Sequence, residues 1–338
     1  MTQLNETRAG HARGDVRGDV EQYRSFHDNG GGSVEARKGS YQEMVKGYYN
    51  LVTDIYEAGW GDSFHFAPRY RGETFESSIK RHQHYIALRL GLSQGQVTLD
   101  LGCGVGGPMR EMARLTKAHI FGVNNNAYQI SKARNYNRQA RLDPYCELLE
   151  ADFMHIPRPD GWADAAYAFE ATCHAPDKTA LFSELFRVLK PGAKIAIYEW
   201  CLTSSFDPRS PEHIKVKRDI EEGNSLPDIW TLDATRDCFE HAGFRVLDLE
   251  DRACEGDREV PWYHSLAGRE LSNTGLRRTP VGKTMVKAFT RTLEAARIAP
   301  KGTAQITDFL NVGADALVRG GELGIFTPMA FVLAQKPL

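Results

Sequence analysis

The sequence predicts an α/β fold. It is a doubly wound, mostly parallel sheet of seven strands, with a helical segment before it and a helical cap inserted before the last strand. Three observations carry that expectation. Short apolar runs alternate with amphipathic stretches through the middle of the chain, as in a parallel sheet with crossover helices. One of those runs, Val97 to Leu101, leads straight into a glycine-rich turn and a helix start. The 338 residues, 41% of them apolar, are enough for one large core with an elaborated lid.

Met1 to about Ser40 is rich in Gly, Arg, Asp, Asn and Ser and poor in large apolar groups. Residues 1–40 are therefore expected to be a disordered tail, and the echoed Arg-Gly-Asp-Val (Arg13–Val16, Arg17–Val20) reads as low complexity. Met44, Val45, Tyr48, Leu51, Val52 and Ile55 recur at helical spacing and predict a helix over Tyr41–Ile55. An aromatic segment follows, Tyr56 to Phe66, with Gly59 and Gly61 expected to break the helix around Trp60. Glu73–Leu90 reads as a second helix that Gly91 stops. Together, residues 41–95 form a helical and aromatic preface.

The core is expected over residues 96–251. Its strands are Val97–Leu101, His119–Val123, Cys146–Glu150, Ala163–Phe169, Lys194–Glu199 and Arg245–Glu250. Its helices are Met109–Thr116, Tyr128–Arg141, Lys178–Leu189 and Thr231–Ala242. Lys190-Pro191-Gly192 reads as a stop and turn before the fifth strand. A mostly helical, polar stretch over residues 252–322 then precedes the last strand, Phe326–Ala334, in segment 323–338. An excursion that long is uncommon as plain loop and is read as a cap or binding element.

The glycine turn is the chemically informative stretch. Gly102, Gly104 and Gly107 permit positive φ and leave no Cβ in the way of a ligand. The helix opening near Gly107 aims its free N–H groups and positive dipole end at the same place. Asp100 adds a carboxylate at the strand end. That combination suits a cationic or zwitterionic nucleoside better than a pyrophosphate. Gly102-x-Gly104-x-x-Gly107 also satisfies the dinucleotide fingerprint, but that pattern wants an acid about 20 residues on, and Asn124-Asn125-Asn126 stands there.

Composition excludes other classes. A net charge of −2 leaves no basic field for a nucleic acid. The cysteines (Cys103, Cys146, Cys173, Cys201, Cys238, Cys254) lack C-x-x-C spacing, so no metal is expected and reduced thiols in the cytoplasm are. No apolar run approaches the ~20 residues of a membrane span, and the N-terminus lacks a signal h-region. Any membrane contact is expected to be peripheral.

Several stretches together carry a narrower signal: Tyr56-Glu-Ala-Gly-Trp-Gly-Asp-Ser-Phe-His-Phe66, the glycine loop, Tyr167-Ala-Phe-Glu-Ala-Thr-Cys-His-Ala-Pro176 and Tyr198-Glu-Trp-Cys-Leu-Thr203. Asn124–Ile130, Pro261-Trp-Tyr263, Ala299-Pro-Lys-Gly302 and Gly324-Ile-Phe-Thr-Pro-Met329 add to it. The glycine loop resembles the E/D-x-G-x-G loop of class I S-adenosylmethionine-dependent methyltransferases. The whole set, over Tyr41 to Leu338, resembles the sterol 24-C-methyltransferase family. The sequence departs from that family's usual pattern at Ala58-Gly59, Ala127 and Met109.

The resemblance implies transfer of a methyl group from S-adenosylmethionine to the side-chain double bond of a sterol of zymosterol or cycloartenol type, leaving S-adenosylhomocysteine. The alkene is the nucleophile, a tertiary carbocation forms, and a hydride shift and proton loss end the sequence. Another lipid or prenyl acceptor, of tocopherol or phosphoethanolamine type, is the competing substrate reading. A binding protein without turnover is the reading from another class. Peripheral association with a sterol-bearing membrane such as the endoplasmic reticulum is implied too, and a homo-oligomer is left open.

These demands assign residues. Tyr56, Trp60, Phe64 and Phe66 offer aromatic faces to a cation, or are core rings. Glu170 and His174, four apart at the fourth strand's carboxyl end, project from one face if the segment is helical. Glu170 then faces the sulfonium or the cation and His174 takes the proton, or the two are a helix-start acid and its partner. Tyr198 and Glu199 are expected to complete the polar end of the pocket, although Glu199 also reads as a plain strand-end acid. Glu57 either anchors the sterol hydroxyl or supports the turn. For the cofactor, Asp100 meets the amino group, and Gly102 and Gly104 allow backbone approach. Asn124 reaches the ribose, and Asp152 lies near the adenine or is a surface turn acid.

Overall fold

The structure, a computed structural model, describes residues 16–27, 32–269, 280–296 and 299–338. It divides into two compact units. One comprises residues 60–204, 229–262 and 327–338 and holds the sheet; the other takes residues up to 59 together with 205–228 and 263–326 and is helical.

The strands are β1 (Val97–Leu101), β2 (His119–Asn124), β3 (Cys146–Glu150), β4 (Ala163–Phe169), β5 (Leu189–Leu202), β6 (Trp230–Thr231), β7 (Arg245–Asp251) and β8 (Phe326–Gln335). Their order is β3-β2-β1-β4-β5-β8-β7, with β6 beside β5. The pairs along β3-β2-β1-β4-β5 are parallel, and β7 with β8 is antiparallel. The seven expected strands are thus present. The added β6 is two residues long, too short to leave a periodicity. Leu99 and Leu101 are fully buried and Asp100 nearly so, because a central parallel strand is covered by helices on both faces. Phe182 and Phe239 stack at 3.7 Å in the core beneath. The chain leaves β1 toward β2 on one side and returns to β4 on the other. The crevice at their carboxyl ends is therefore the switch point where such sheets bind ligands.

Local signals set most helix ends. The helices up to the seventh strand are α1 (Arg17–Ser25), α2 (Val34–Gly39), α3 (Tyr41–Trp60), α4 (Phe75–Leu90), α5 (Gly107–Thr116), α6 (Ala127–Gln139), α7 (Lys178–Val188), α8 (Pro211–Asn224) and α9 (Leu232–His241). Thr74 caps α4 by accepting from Ser77 N at 3.1 Å, and Gly91 ends it in the left-handed region.

Three expectations need correction. Gly59 does not break α3, which runs on to Trp60 before Gly61 (φ +76°) ends it; a single glycine costs a helix only about 1 kcal/mol. Lys190-Pro191-Gly192 does not precede β5 but bulges within it. The register with β4 jumps from Ala163–Leu189 to Ala165–Lys194, and Gly192 supplies the positive φ. Within the expected disordered tail, α1 and α2 are ordered. Val16, Val20 and Tyr23 sit on one side of α1 and are buried with Met44, Tyr48, Val52 and Phe309. The average composition of the tail hid that stripe. The rest of the tail, residues 1–15 and 28–31, lies outside the described residues.

The helical unit combines α1, α2, most of α3, α8 and the helices Pro280–Ala295 and Thr303–Glu322. The sequence reading passed over α8. It crosses Thr303–Glu322 at a pair of glycines, where a Cβ on Gly223 would fall 2.3 Å from the Gly313 Cα. Of the expected cap, residues 270–279 and 297–298 lie outside the described residues.

Candidate active site

The sheet unit builds its crevice from three chain segments: the β1–α5 loop, the turn after β4, and the stretch from Trp60 to Phe66. Asp100 pairs in register with Tyr167 across β1 and β4, and the Tyr167 hydroxyl donates to Asp100 Oδ2 at 3.1 Å. Burial pushes the Asp100 carboxyl up to about 8, with the tyrosine bond working against it. A buried acid in that state gains from a cationic ligand. Gly102, Gly104 and Gly106 all have positive φ, and α5 starts just beyond them with Pro108 in its first turn. This set of groups fits the methionine end of S-adenosylmethionine: a carboxylate for the amino group, and backbone with no Cβ for close approach. Asn124 ends β2 beside the loop. Its Nδ2 donates to Gln129 Oε1 at 2.8 Å and to Gly104 O at 3.3 Å, and its Oδ1 accepts from Asn126 N at 3.0 Å. It acts first as a brace of the loop. Asp152 lies in the turn after β3 and accepts from Met154 N at 2.9 Å.

Glu170 follows β4 at φ +54°, in the left-handed region that a glutamate seldom occupies. The helical reading of Glu170 and His174 is thereby corrected. Only Thr172–His174 forms a short 3₁₀ turn, so the two side chains do not share an α-helical face. Glu170 Oε1 accepts from Phe66 N at 2.6 Å, and Oε2 accepts from Trp200 Nε1 at 2.8 Å. Burial pushes this carboxyl up to about 8 against those two donors. His174 is buried in the same turn.

Tyr198 and Glu199 do not complete a polar pocket end. Alternation along β5 sends them to opposite faces. The Tyr198 ring stacks on His82 at 3.6 Å, wholly buried. Glu199 is wholly buried and ion-paired with Lys178 Nζ at 2.8 Å; it also accepts from Thr172 Oγ1 at 2.6 Å and Trp200 N at 2.8 Å. Lys178 Nζ in turn donates to Thr172 O at 3.2 Å. Glu199 and Lys178 therefore fix the turn that presents Glu170 and His174. Breaking one half of a buried pair costs about 3–5 kcal/mol. Lys178→Met is expected to lower unfolding stability by about that much in a denaturant titration; a loss below about 1 kcal/mol would show that the pair braces nothing.

The aromatic segment crosses the glycine loop as a strap, which the sequence did not reveal. Arg110 Nη2 holds Asp62 Oδ2 at 2.7 Å, while its Nη1 donates to Val105 O at 2.9 Å and Asn137 Oδ1 at 3.1 Å. Gln83 Nε2 reaches Ser63 Oγ at 3.2 Å and His65 Nε2 at 2.8 Å. A Cβ on Gly104 would lie 3.7 Å from the Phe64 ring, and one on Gly107 only 2.1 Å from Asp62 O. Gly107 is thus required by the strap and Gly102 by the turn after β4, where a Cβ would fall 2.4 Å from the Ala171 Cβ, whereas Gly104 meets only ordinary contact with Phe64. Gly107→Ala is expected to cost about 1–3 kcal/mol of stability and to weaken cofactor binding with it. A variant with unchanged melting temperature and affinity would contradict the strap's closeness.

Trp60, Phe66, Trp200 and Trp262 form one ring cluster. Phe66 lies 6.4 Å from Trp60, 6.2 Å from Trp200 and 5.0 Å from Trp262. Trp200 and Trp262 were not singled out in the sequence; their contact with Phe66 adds them to the cluster. Tyr56 and Glu57 are not on a turn but in the last turns of α3. In the helical unit the Tyr56 hydroxyl meets that of Tyr48, which donates to Gly223 O at 3.1 Å. Tyr56 and Trp60, four apart on α3, project from the same side of that helix.

Sheet order, switch-point crevice and glycine loop define the class: an S-adenosylmethionine-dependent methyltransferase of class I. A family model described as Methyltransferase domain matches residues 99–197, and one described as Sterol methyltransferase C-terminal matches residues 273–338. The chain is 47% identical over 325 residues to the cycloartenol-C-24-methyltransferase of Arabidopsis thaliana, covering 96% of each. It is 42% identical over 310 residues to the sterol 24-C-methyltransferase ERG6 of Saccharomyces cerevisiae, covering 90% of this chain and 81% of that one. The chain belongs to the sterol 24-C-methyltransferase family. Among solved structures, the cyclase SpnF matches with a TM-score of 0.66 at 21% identity, over 88% of this chain and 96% of that one. Geranyl diphosphate C-methyltransferase from Streptomyces coelicolor, solved with S-adenosyl-L-homocysteine, matches at 0.62 and 17% identity, over 88% and 98%. At these identities both speak for the fold alone.

Proposed function

We infer that this enzyme methylates C-24 of a Δ24 sterol side chain. The observation that carries the reading is the buried Glu170 carboxyl set against the ring cluster of Phe66 and Trp200, beside the glycine loop. S-adenosylmethionine, when bound, supplies an electrophilic methyl group. Asp100 anchors its amino group, Gly102 and Gly104 admit it to the backbone, and Asn124 and Asp152 serve the ribose and adenine ends. Trp60, Phe64, Phe66 and Trp200 exclude water from the alkene and face the developing cation, each ring contributing up to about 2 kcal/mol when dry. Tyr56 and Glu57 keep the roles the family resemblance implies for them, Tyr56 toward the cation and Glu57 toward the sterol hydroxyl. Glu170 offsets the positive charge, and His174 takes the departing proton.

Much of the rate enhancement needed here comes from holding alkene and methyl in line, which is what the strap secured by Arg110, Gln83 and Glu170 provides. The substrate implies peripheral contact with a sterol-bearing membrane such as the endoplasmic reticulum. No helix of the described residues is long and apolar enough to cross one. Incubation with methyl-labelled S-adenosylmethionine and a panel of cycloartenol, zymosterol, a tocopherol precursor and phosphoethanolamine tests the reading. Label is expected in the sterols only. Label in another acceptor, with none in sterol, would overturn it.

A further inference from the structure

The helix Pro280–Ala295 presents an apolar stripe to solvent. Met285 and Phe289 are 67% and 64% exposed, and Ala288, Thr292 and Ala296 along the same side are exposed as well. These positions follow the i, i+3, i+4, i+7 rule, so they share one helical face. The opposite side is turned to the helix Thr303–Glu322, where Lys287 Nζ pairs with Asp308 at 2.8 Å. Large apolar side chains at that spacing on the outside of a helix are an interaction surface.

Charge identifies the occupant. Arg291 flanks the stripe and is exposed. It lines a cleft of about 370 Å³ together with Arg17, Lys301, Glu294 and Gln305. From Arg277 to Arg297 the sequence carries six basic residues and one acid, although the chain as a whole has a net charge of −2. A second copy of this chain seated face to face would bring Arg291 and the cleft's Arg17 and Lys301 toward the same cations of its partner, which opposes pairing. An anionic bilayer surface matches both features: its headgroups meet the cations and its acyl boundary takes the apolar stripe.

We propose that the helix Pro280–Ala295 lies in the interface of an anionic lipid bilayer, inserting Met285 and Phe289 while Arg291 and the adjoining basic cleft hold lipid phosphates. The proposal rests on the sterol reading for its purpose, since a sterol acceptor resides in such a bilayer, but not for its chemistry.

The test is co-sedimentation of the full chain with phosphatidylcholine vesicles, with and without phosphatidylserine. Wild type is expected to bind the phosphatidylserine vesicles and to be released by high salt. The double variant Met285→Ser with Phe289→Ser should bind roughly tenfold or more weakly, and Arg291→Glu several-fold more weakly. Both should keep the wild-type melting temperature, and both should methylate detergent-dispersed sterol at the wild-type rate. Unchanged vesicle binding by the double variant would overturn the proposal. So would wild type that ignores phosphatidylserine vesicles. A wild-type dimer in size-exclusion chromatography that the double variant turns into a monomer, without loss of lipid binding, would reassign the face to a second copy. Failure to methylate sterol in detergent would instead strike the functional reading and leave the vesicle result standing.

Discussion

Asp100→Asn is expected to weaken S-adenosylmethionine binding roughly a hundredfold, the contribution of a charge-assisted bond inside a buried site. The side chain is 2% exposed, with the Tyr167 hydroxyl beside it. Asparagine keeps the shape and the tyrosine partner and removes only the charge. The pH dependence sharpens the prediction. Burial holds the Asp100 proton up to about pH 8, so binding an ammonium group below that pH must release it. Wild-type affinity should therefore rise about tenfold per pH unit between about 6 and 7.5, and Asp100→Asn should lose that slope. Isothermal titration reads both effects. An asparagine variant with wild-type affinity would remove Asp100 from the cofactor site.

The same shift has a stability consequence, with its sign fixed by linkage. An unfolded carboxyl titrates near about 4, whereas folded Asp100 keeps its proton to about 8. The folded chain binds the extra proton between those values. The stabilisation is thus complete below about 4 and disappears as pH rises through 8. In the unliganded protein, the melting-temperature difference between wild type and Asp100→Asn should move against wild type over that window.

Glu170→Gln is expected to lower kcat by roughly a hundred- to a thousandfold, the usual loss when a preorganised electrostatic group is removed from a dry site. Cofactor affinity should remain nearly unchanged, since the proposed function assigns the cofactor's amino group to Asp100. Glutamine also turns an amide nitrogen toward one of two donors, Phe66 N or Trp200 Nε1. A stability loss of about 1–3 kcal/mol should accompany the kinetic effect. Trp200→Phe separates the two. Its indole N–H holds the Glu170 carboxyl down against burial, so its removal should move the rising limb of the pH–rate profile to higher pH. A profile that ignores Trp200→Phe would mean that Glu170 is not the group titrating in the rate.

What the sequence made legible was local. β1, β3 and β4 occupy the expected spans, Val97–Leu101, Cys146–Glu150 and Ala163–Phe169; β1 and β4 are largely buried parallel strands bounded by turns, while β3 is the half-exposed edge strand of the sheet. The placement of Asp100 at the end of β1 and of a glycine turn after it was legible, since it depends only on neighbours in sequence. The failures are long-range. Glu199 reads as a rim acid until Lys178 and Thr172 are seen around it. Arg110 carries no signal until Asp62 meets it from the strap. Trp200 and Trp262 joined the ring cluster through Phe66, and Tyr56 moved from a turn to the end of α3. The order in α1 depends on residues near Phe309, far along the chain. No spacing rule reaches across such separations; only the folded contacts supply the missing partners.

The central claim is that the buried carboxyl and rings beside the glycine loop serve alkylation of a sterol alkene carbon. Its most direct measurement is carbon-13 NMR of the product formed from methyl-labelled S-adenosylmethionine and cycloartenol. The account predicts the label on a carbon bonded to C-24, with the signal nearly absent for Glu170→Gln. Label on an oxygen, or an unlabelled sterol from enzyme that still binds the cofactor, would contradict it.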